Sequence, residues 1–215
     1  MTTIPAERAP ESFHETLMTQ RWDDHRFYHH SRINQTLHLI SAISFLVAYV
    51  YLFLDPVVAA FLGWGVSMVT RQSGHFFFEP LGYDEINQAT NEYKERIKVG
   101  YNLRRKVVLL SAWALTPLVV WASPTLLGIY APYEGWYGFC HHLSVLWIAL
   151  GAVAVLLRTI YLCITVSLGQ GLVWMTKILT DPFHDVRIYY KAPYHLLRGE
   201  LLDPMTDWPE PLRRA

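Results

Sequence analysis

Charge is scarce in this sequence. Lys, Arg, Asp and Glu make up 17% of 215 residues, and 18 basic side chains balance 18 acidic ones. A soluble domain usually carries about a quarter charged residues. Zero net charge also removes the basic field that nucleic-acid binding requires, so no nucleic-acid partner is expected. Cysteine is scarcer still. Cys140 and Cys163 form no CxxC and no disulfide framework, and both stand in apolar surroundings where a small buried hydrophobe is the simplest role. No basic stretch leads into an apolar run near the N-terminus, so no cleaved signal peptide is expected. Internal repeats and low-complexity tracts are absent, and the length fits one domain. What the chain has in excess is apolar surface, 52% of residues, and ten histidines.

The apolar residues fall into long runs. One covers about 37–54 and stops at Asp55-Pro56, a strong turn because proline cannot continue the preceding helix. A second runs from Val57 to about Phe78, and its last third carries Arg71, Gln72 and His75, so that end faces protein or water. A third covers about 107–127, with Pro117 and Pro124, and a fourth starts near Phe139 and ends near Arg158. Each approaches the roughly 20 residues that a bilayer core requires. The expected fold is all-α: a polytopic membrane helical bundle with about four transmembrane helices and interfacial amphipathic helices. Phe13, Leu17 and Met18 suggest one short interfacial helix. Residues 82–106 suggest another, with Ile86, Tyr93, Ile97 and Tyr101 at helical spacing among charged residues. The single membrane domain divides into a hairpin over 26–79, the surface helix over 82–106, a second hairpin over 107–179 and a tail over 180–215. Residues 159–179 either extend the fourth helix or lie along the interface. Trp208-Pro209-Glu210-Pro211 reads as irregular.

The loops at Asp55-Pro56 and at about 128–138 hold no Lys or Arg, whereas the other side of the bundle holds Arg21, Arg26, Arg32, Lys94, Arg96, Lys98, Arg104, Arg105, Lys106 and more. The positive-inside rule therefore places both termini in the cytoplasm, in the inner membrane if the cell is bacterial. The sequence implies no oligomeric state.

The hairpin also decides which histidines can meet. His38 precedes the turn by about 17 residues and His75 follows it by about 19, so two antiparallel helices bring them to similar depth. His30, Asn34 and His38 are spaced i, i+4, i+8, which on a continuous helix is one slowly drifting face. His75 and Glu79 are i, i+4. Imidazoles with a carboxylate suit a first-row transition metal such as Fe(II). The candidate ligands are His30, His38 and His75, with His184 and His195 from the tail on the same side. Asn34 and Glu79 are supporting groups, and Asp185 is a candidate acceptor behind a ligand imidazole. Arg71 either receives a substrate carboxylate or pairs with Asp or Glu. His141 and His142 lie at the opposite face, and His14 and His25 precede the hairpin.

The run Phe27-Tyr28-His29-His30…Asn34…His38, with Gly74-His75…Phe78-Glu79, resembles the membrane-bound 2-hydroxy fatty acid dioxygenases of fatty acid α-oxidation. The resemblance covers 27–79 well and the rest weakly. It departs at Arg32, where the family often has proline, and in the tightness of the hairpin. It implies an Fe(2+)-dependent membrane oxygenase that uses O2 to shorten a fatty acid-like substrate by one carbon, with His30, His38 and His75 on the iron and Asn34 and Glu79 beside it. A di-iron lipid hydroxylase or desaturase, which would need the tail histidines, and a haem-binding membrane protein with His38 and His75 as axial ligands are the alternatives.

Overall fold

The computed structural model describes residues 12–79, 82–85, 87–98 and 103–205. Within them the regular structure is helical, apart from two isolated β-bridges. Ser12 starts α1 (Phe13–Tyr28) with a capping box: its hydroxyl accepts from the Glu15 N–H, and the Glu15 carboxylate accepts from the Ser12 N–H. After a short break, α2 (Arg32–Tyr51) runs to the turn at Asp55. There the Asp55 carboxylate accepts from the N–H groups of Val57 and Val58, and Pro56 occupies the first helical position.

The second apolar segment is where the structure departs from a plain helical hairpin. It consists of α3 (Pro56–Ala60), a π-helical stretch (Phe61–Met68) and α4 (Val69–Phe77). The wider π turns rotate everything that follows about the helix axis. Near their end the Ser67 hydroxyl donates to the Ser41 carbonyl at 2.7 Å and sits 2.8 Å from the Ser41 hydroxyl. Both serines are fully buried. This polar lock joins the segment to α2 in antiparallel register and turns Arg71 and His75 toward α2.

Among the described residues three α-helices are long and apolar enough to cross a membrane: α2, α6 from Arg105 to Ala122, and α7 (Gly135–Thr165). The described helix α6 begins at Leu103. Pro117 within α6 cannot donate to the Trp113 carbonyl. The Thr116 hydroxyl donates there instead, and itself accepts from the Trp147 indole N–H of α7 at 2.6 Å. Trp113, Trp147, Trp64 and Phe61 pack together around this point, so the proline is part of the contact between helices. Much of α6 is otherwise exposed apolar surface, including Val108, Leu118 and Trp121, as a lipid-facing helix requires.

At 31 residues, α7 is about 46 Å long and exceeds a hydrocarbon core of about 30 Å. It extends past Arg158, and residues 159–179 are divided between its end and α8 (Leu168–Tyr189). Ser167 caps α8. Gly171 lets the two helices close: a Cβ there would lie 2.3 Å from Cys163 Sγ and 2.9 Å from the Thr159 carbonyl oxygen. The polarity of α8 is inverted. Lys177, Asp181 and Asp185 are buried, while Leu179 and Phe183 are exposed. Lys177 pairs with Asp24 and, at 2.9 Å, with Asp181; Arg21 reaches Asp181 at 3.3 Å. These buried charges tie α8 to α1.

Two expectations are corrected here. Residues 82–106 do not form one surface helix. A turn bridged between Asp84 and Ala89 precedes a seven-residue α5 (Asn91–Ile97), whose Lys94 is fully buried; Ile86 and Tyr101 lie outside the described residues. The tail is not separate from position 180 either, because α8 passes through Pro182 to Tyr189. After α9 (Ala192–Leu197) the chain returns to residues 30–32. Trp208 to Pro211 lie outside the described residues.

Candidate metal centre

The site starts from the break between α1 and α2. Ser31 is an N-cap, its hydroxyl accepting from the Asn34 N–H at 3.4 Å, so residues 29–31 leave the helix. Two amides from the first turns of α2 then hold the linker: Asn34 Nδ2 donates to the Tyr28 carbonyl and Gln35 Nε2 to the His29 carbonyl, both at 2.8 Å. The returning tail holds it from the other side. Arg32 N–H donates to the Leu201 carbonyl at 2.9 Å, and Asp203 N–H to the His30 carbonyl at 2.8 Å. The Asp203 carboxylate accepts from Gln35 Nε2 at 2.7 Å and pairs with Arg32 at 2.9 Å.

This linker turns His29 inward. Its ring meets His38 of α2 at 4.2 Å between centroids and His75 of α4 at 5.3 Å, and His38 and His75 are 4.9 Å apart. One ligand atom from each lies within 4.8 Å of the others, a metal-sized group. All four ring nitrogens of His29 and His38 are buried without a hydrogen-bond partner. Buried polar atoms of native proteins almost always have partners, and a bound cation would supply one. Burial pushes His29 well below its ordinary pKa, helped by neighbouring positive groups, so it is neutral and has a free lone pair at neutral pH.

Carboxylates stand behind the ring. Glu79 Oε2 is 2.8 Å from His75 Nδ1, which leaves Nε2 as the nitrogen available to a metal. Asp185 Oδ2 is 3.6 Å from His38 Nδ1 and also pairs with Arg71, which in turn reaches the Ser41 hydroxyl at 3.3 Å. Burial alone would raise Asp185, but Arg71 and His38 outweigh it and hold the carboxyl at about 2. Tyr189 closes the floor. Its ring packs on His29 and His38, and its hydroxyl bonds His25 Nδ1 at 3.1 Å.

Several sequence-derived candidates move. His30 is not in the group; it faces Asp84 at 3.4 Å and Asn87 at 3.2 Å, because the Ser31 cap removes it from the α2 face it was expected to share with Asn34 and His38. His195 bonds Glu200 at 2.8 Å at a partly exposed position, and His184, held at about 4 by burial, is likewise outside the three-imidazole group. Arg71 is committed to Asp185, and Asn34 acts on the Tyr28 carbonyl. His142 is buried against Tyr130 and Tyr133, away from the cluster. Sequence reasoning missed His29, Tyr189 and Asp203. A Ser followed by polar residues after the His pair was the available signal for the break that frees His29.

Two substitutions test the frame. Gly74 has no room for a side chain: a Cβ would lie 2.1 Å from Asn34 Oδ1 and 3.5 Å from His38 Cδ2. Gly74→Ala is expected to cost about 1–3 kcal/mol by overpacking. Adding Asn34→Ala should recover part of that stability, without restoring metal binding, because the Tyr28 carbonyl then loses its donor; unfolding in mixed micelles and metal titration read the two effects. Glu79→Ala should weaken metal affinity by about 10–100-fold, as loss of a carboxylate behind a ligand imidazole does. Glu79→Gln, which keeps an acceptor, should lose less; chelator competition measures both.

No family model matches the sequence, and no curated protein or solved structure matches it either.

Proposed function

We propose that this chain is a membrane oxygenase that holds one Fe(II) on His29, His38 and His75 and shortens a 2-hydroxy fatty acid by one carbon. The observation that carries the metal reading is the trio of converging imidazoles, in which His29 and His38 are buried with unpartnered ring nitrogens and His75 is partly buried against Glu79, with Asp185 behind His38. The resemblance of the 27–79 motifs supplies the reaction class. Both termini lie in the cytoplasm in this reading, by the charge asymmetry of the loops.

An Fe(II) held there would supply O2 activation and Lewis acidity toward the substrate oxygens. The protein's own part is geometric. Glu79 orients His75, Asp185 sets a negative charge 3.6 Å behind His38, Tyr189 and the Ser31 linker fix His29, and the burial of His29 and His38 excludes bulk water. The overall reaction balances without an external reductant: one 2-hydroxy acid and one O2 give the acid one carbon shorter, CO2 and water. Among the described residues only one metal-sized group occurs, which favours one metal over a di-iron centre. The contacting rings of His38 and His75 leave no slot for a macrocycle between them.

One observation favours a second reading. All three donors are imidazoles and no carboxylate joins them, a set that also suits a catalytic zinc with an open position. Metal analysis of protein purified without chelators, followed by O2 consumption and product analysis with a 2-hydroxy fatty acid, tests the proposal. Iron at one per chain with stoichiometric O2 uptake supports it. Zinc alone with no O2 uptake replaces it with the second reading, and no metal rejects both.

A further inference from the structure

α6 packs on α7 and leaves a gap beside α4. The groove in that gap measures about 450 Å³ and is lined by Val69, Gln72 and Phe76 from one side and by Val107, Leu110 and Ala114 from the other. Its walls are almost wholly apolar, and α6 is largely exposed along its membrane-spanning length, so the groove opens sideways toward lipid.

Lys106 lies one helical turn before Leu110, on the same face of α6. It is partly buried, and among the described residues its ammonium makes no ion pair and no hydrogen bond. Its neighbour Lys98 is fully engaged: Glu79 at 3.4 Å, Glu95 at 3.2 Å and the Tyr28 ring at 3.8 Å. Lys106 is nevertheless close enough for its charge to act on His75, Glu79 and His38. A cation with no ion pair or hydrogen bond among the described residues thus stands where an apolar groove meets the histidine cluster. Arg71, a further basic group near the cluster, is already neutralised by Asp185.

We propose that Lys106 receives the carboxylate of a single-chain amphiphile whose tail lies in the groove between α4 and α6, entering sideways from the bilayer. The head group then stands at the edge of the histidine cluster, and the tail stays in an apolar environment throughout. This assignment rests on reading that cluster as the reaction centre, but its test does not require turnover.

The test uses the full chain in lipid nanodiscs with palmitate and 1-hexadecanol as probes, equal in chain and different in head charge. Palmitate should bind about tenfold more tightly, the equivalent of one charge-assisted hydrogen bond. Lys106→Met should bring the two probes to parity, Lys106→Arg should keep the preference, and both variants should keep wild-type metal content. Leu110→Trp, which fills the groove, should weaken both probes alike. A phosphatidic acid added as competitor should not displace palmitate; if it does, the site takes phospholipid head groups and the single-chain assignment is wrong. Equal binding of both probes by the wild type, an undiminished preference in Lys106→Met, or unchanged binding in Leu110→Trp would overturn the proposal. Absence of metal from a wild type that still prefers palmitate would count against the oxygenase reading alone.

Discussion

Alanine at His29 is expected to reduce bound metal to background, whereas alanine at His30 leaves the metal content near that of the wild type. The two residues are adjacent, equally polar and both buried, so sequence position alone does not separate them. The difference lies in the direction of the rings. His29 contacts His38 and His75 and has no hydrogen-bond partner on either nitrogen; His30 faces Asp84 and Asn87. Removing a ligand leaves two imidazoles, too few to hold a first-row ion against competing buffer. Removing His30 leaves the cluster intact and deprives Asp84 of one neighbour while Lys94 remains 3.9 Å away. Metal per chain, measured on both purified variants, decides the matter. Loss of metal in His30→Ala with retention in His29→Ala would reverse the assignment.

Asp203→Ala is expected to destabilise the protein by about 3–5 kcal/mol, the usual cost of leaving the partner of a buried ion pair uncompensated. The Arg32 and Asp203 side chains are about nine-tenths buried and 2.9 Å apart. Asp203 also accepts from Gln35 and from the Met205 N–H, so its loss releases the linker as well as the charge. His25 lies 4.0 Å from Asp203 but is held at about 4 by burial, so at neutral pH it is uncharged and cannot substitute for Arg32. Asp203→Asn keeps the acceptor and should fall between wild type and alanine. Unfolding in mixed micelles measures all three. Because the linker carries His29, metal affinity should fall in the same order; full affinity in Asp203→Ala would separate the tail from the site.

Much of the architecture is legible in the sequence because the relevant physics is local. Apolar runs of membrane length, the Asp55-Pro56 turn and the break near 128 depend on hydropathy and backbone chemistry within a few residues, whereas the break near 166 does not follow from the sequence, which leaves 159–179 open. That His38 and His75 share a depth follows from counting along a hairpin. The pairing of His75 with Glu79 follows from i, i+4 spacing, and the structure has it at 2.8 Å. The third histidine does not follow from such counting. Extending α2 backward makes His30 the natural partner of His38, but the Ser31 cap ends the helix there and turns the chain by a residue, so the neighbouring ring enters the cluster. The π stretch likewise changes the azimuth of α4 through a contact with Ser41, 26 positions away.

The sequence by itself determined that this is an all-α membrane protein with imidazoles collected at one end of a hairpin. Tertiary structure alone decided which imidazoles, because that choice rests on contacts between residues far apart in the chain. Asp203 fastens the linker across 168 positions from Gln35, and Asp185 of α8 meets Arg71 across 114. No periodicity encodes such pairs. They exist because buried charges and amides must find partners, and only the folded chain brings those partners within reach.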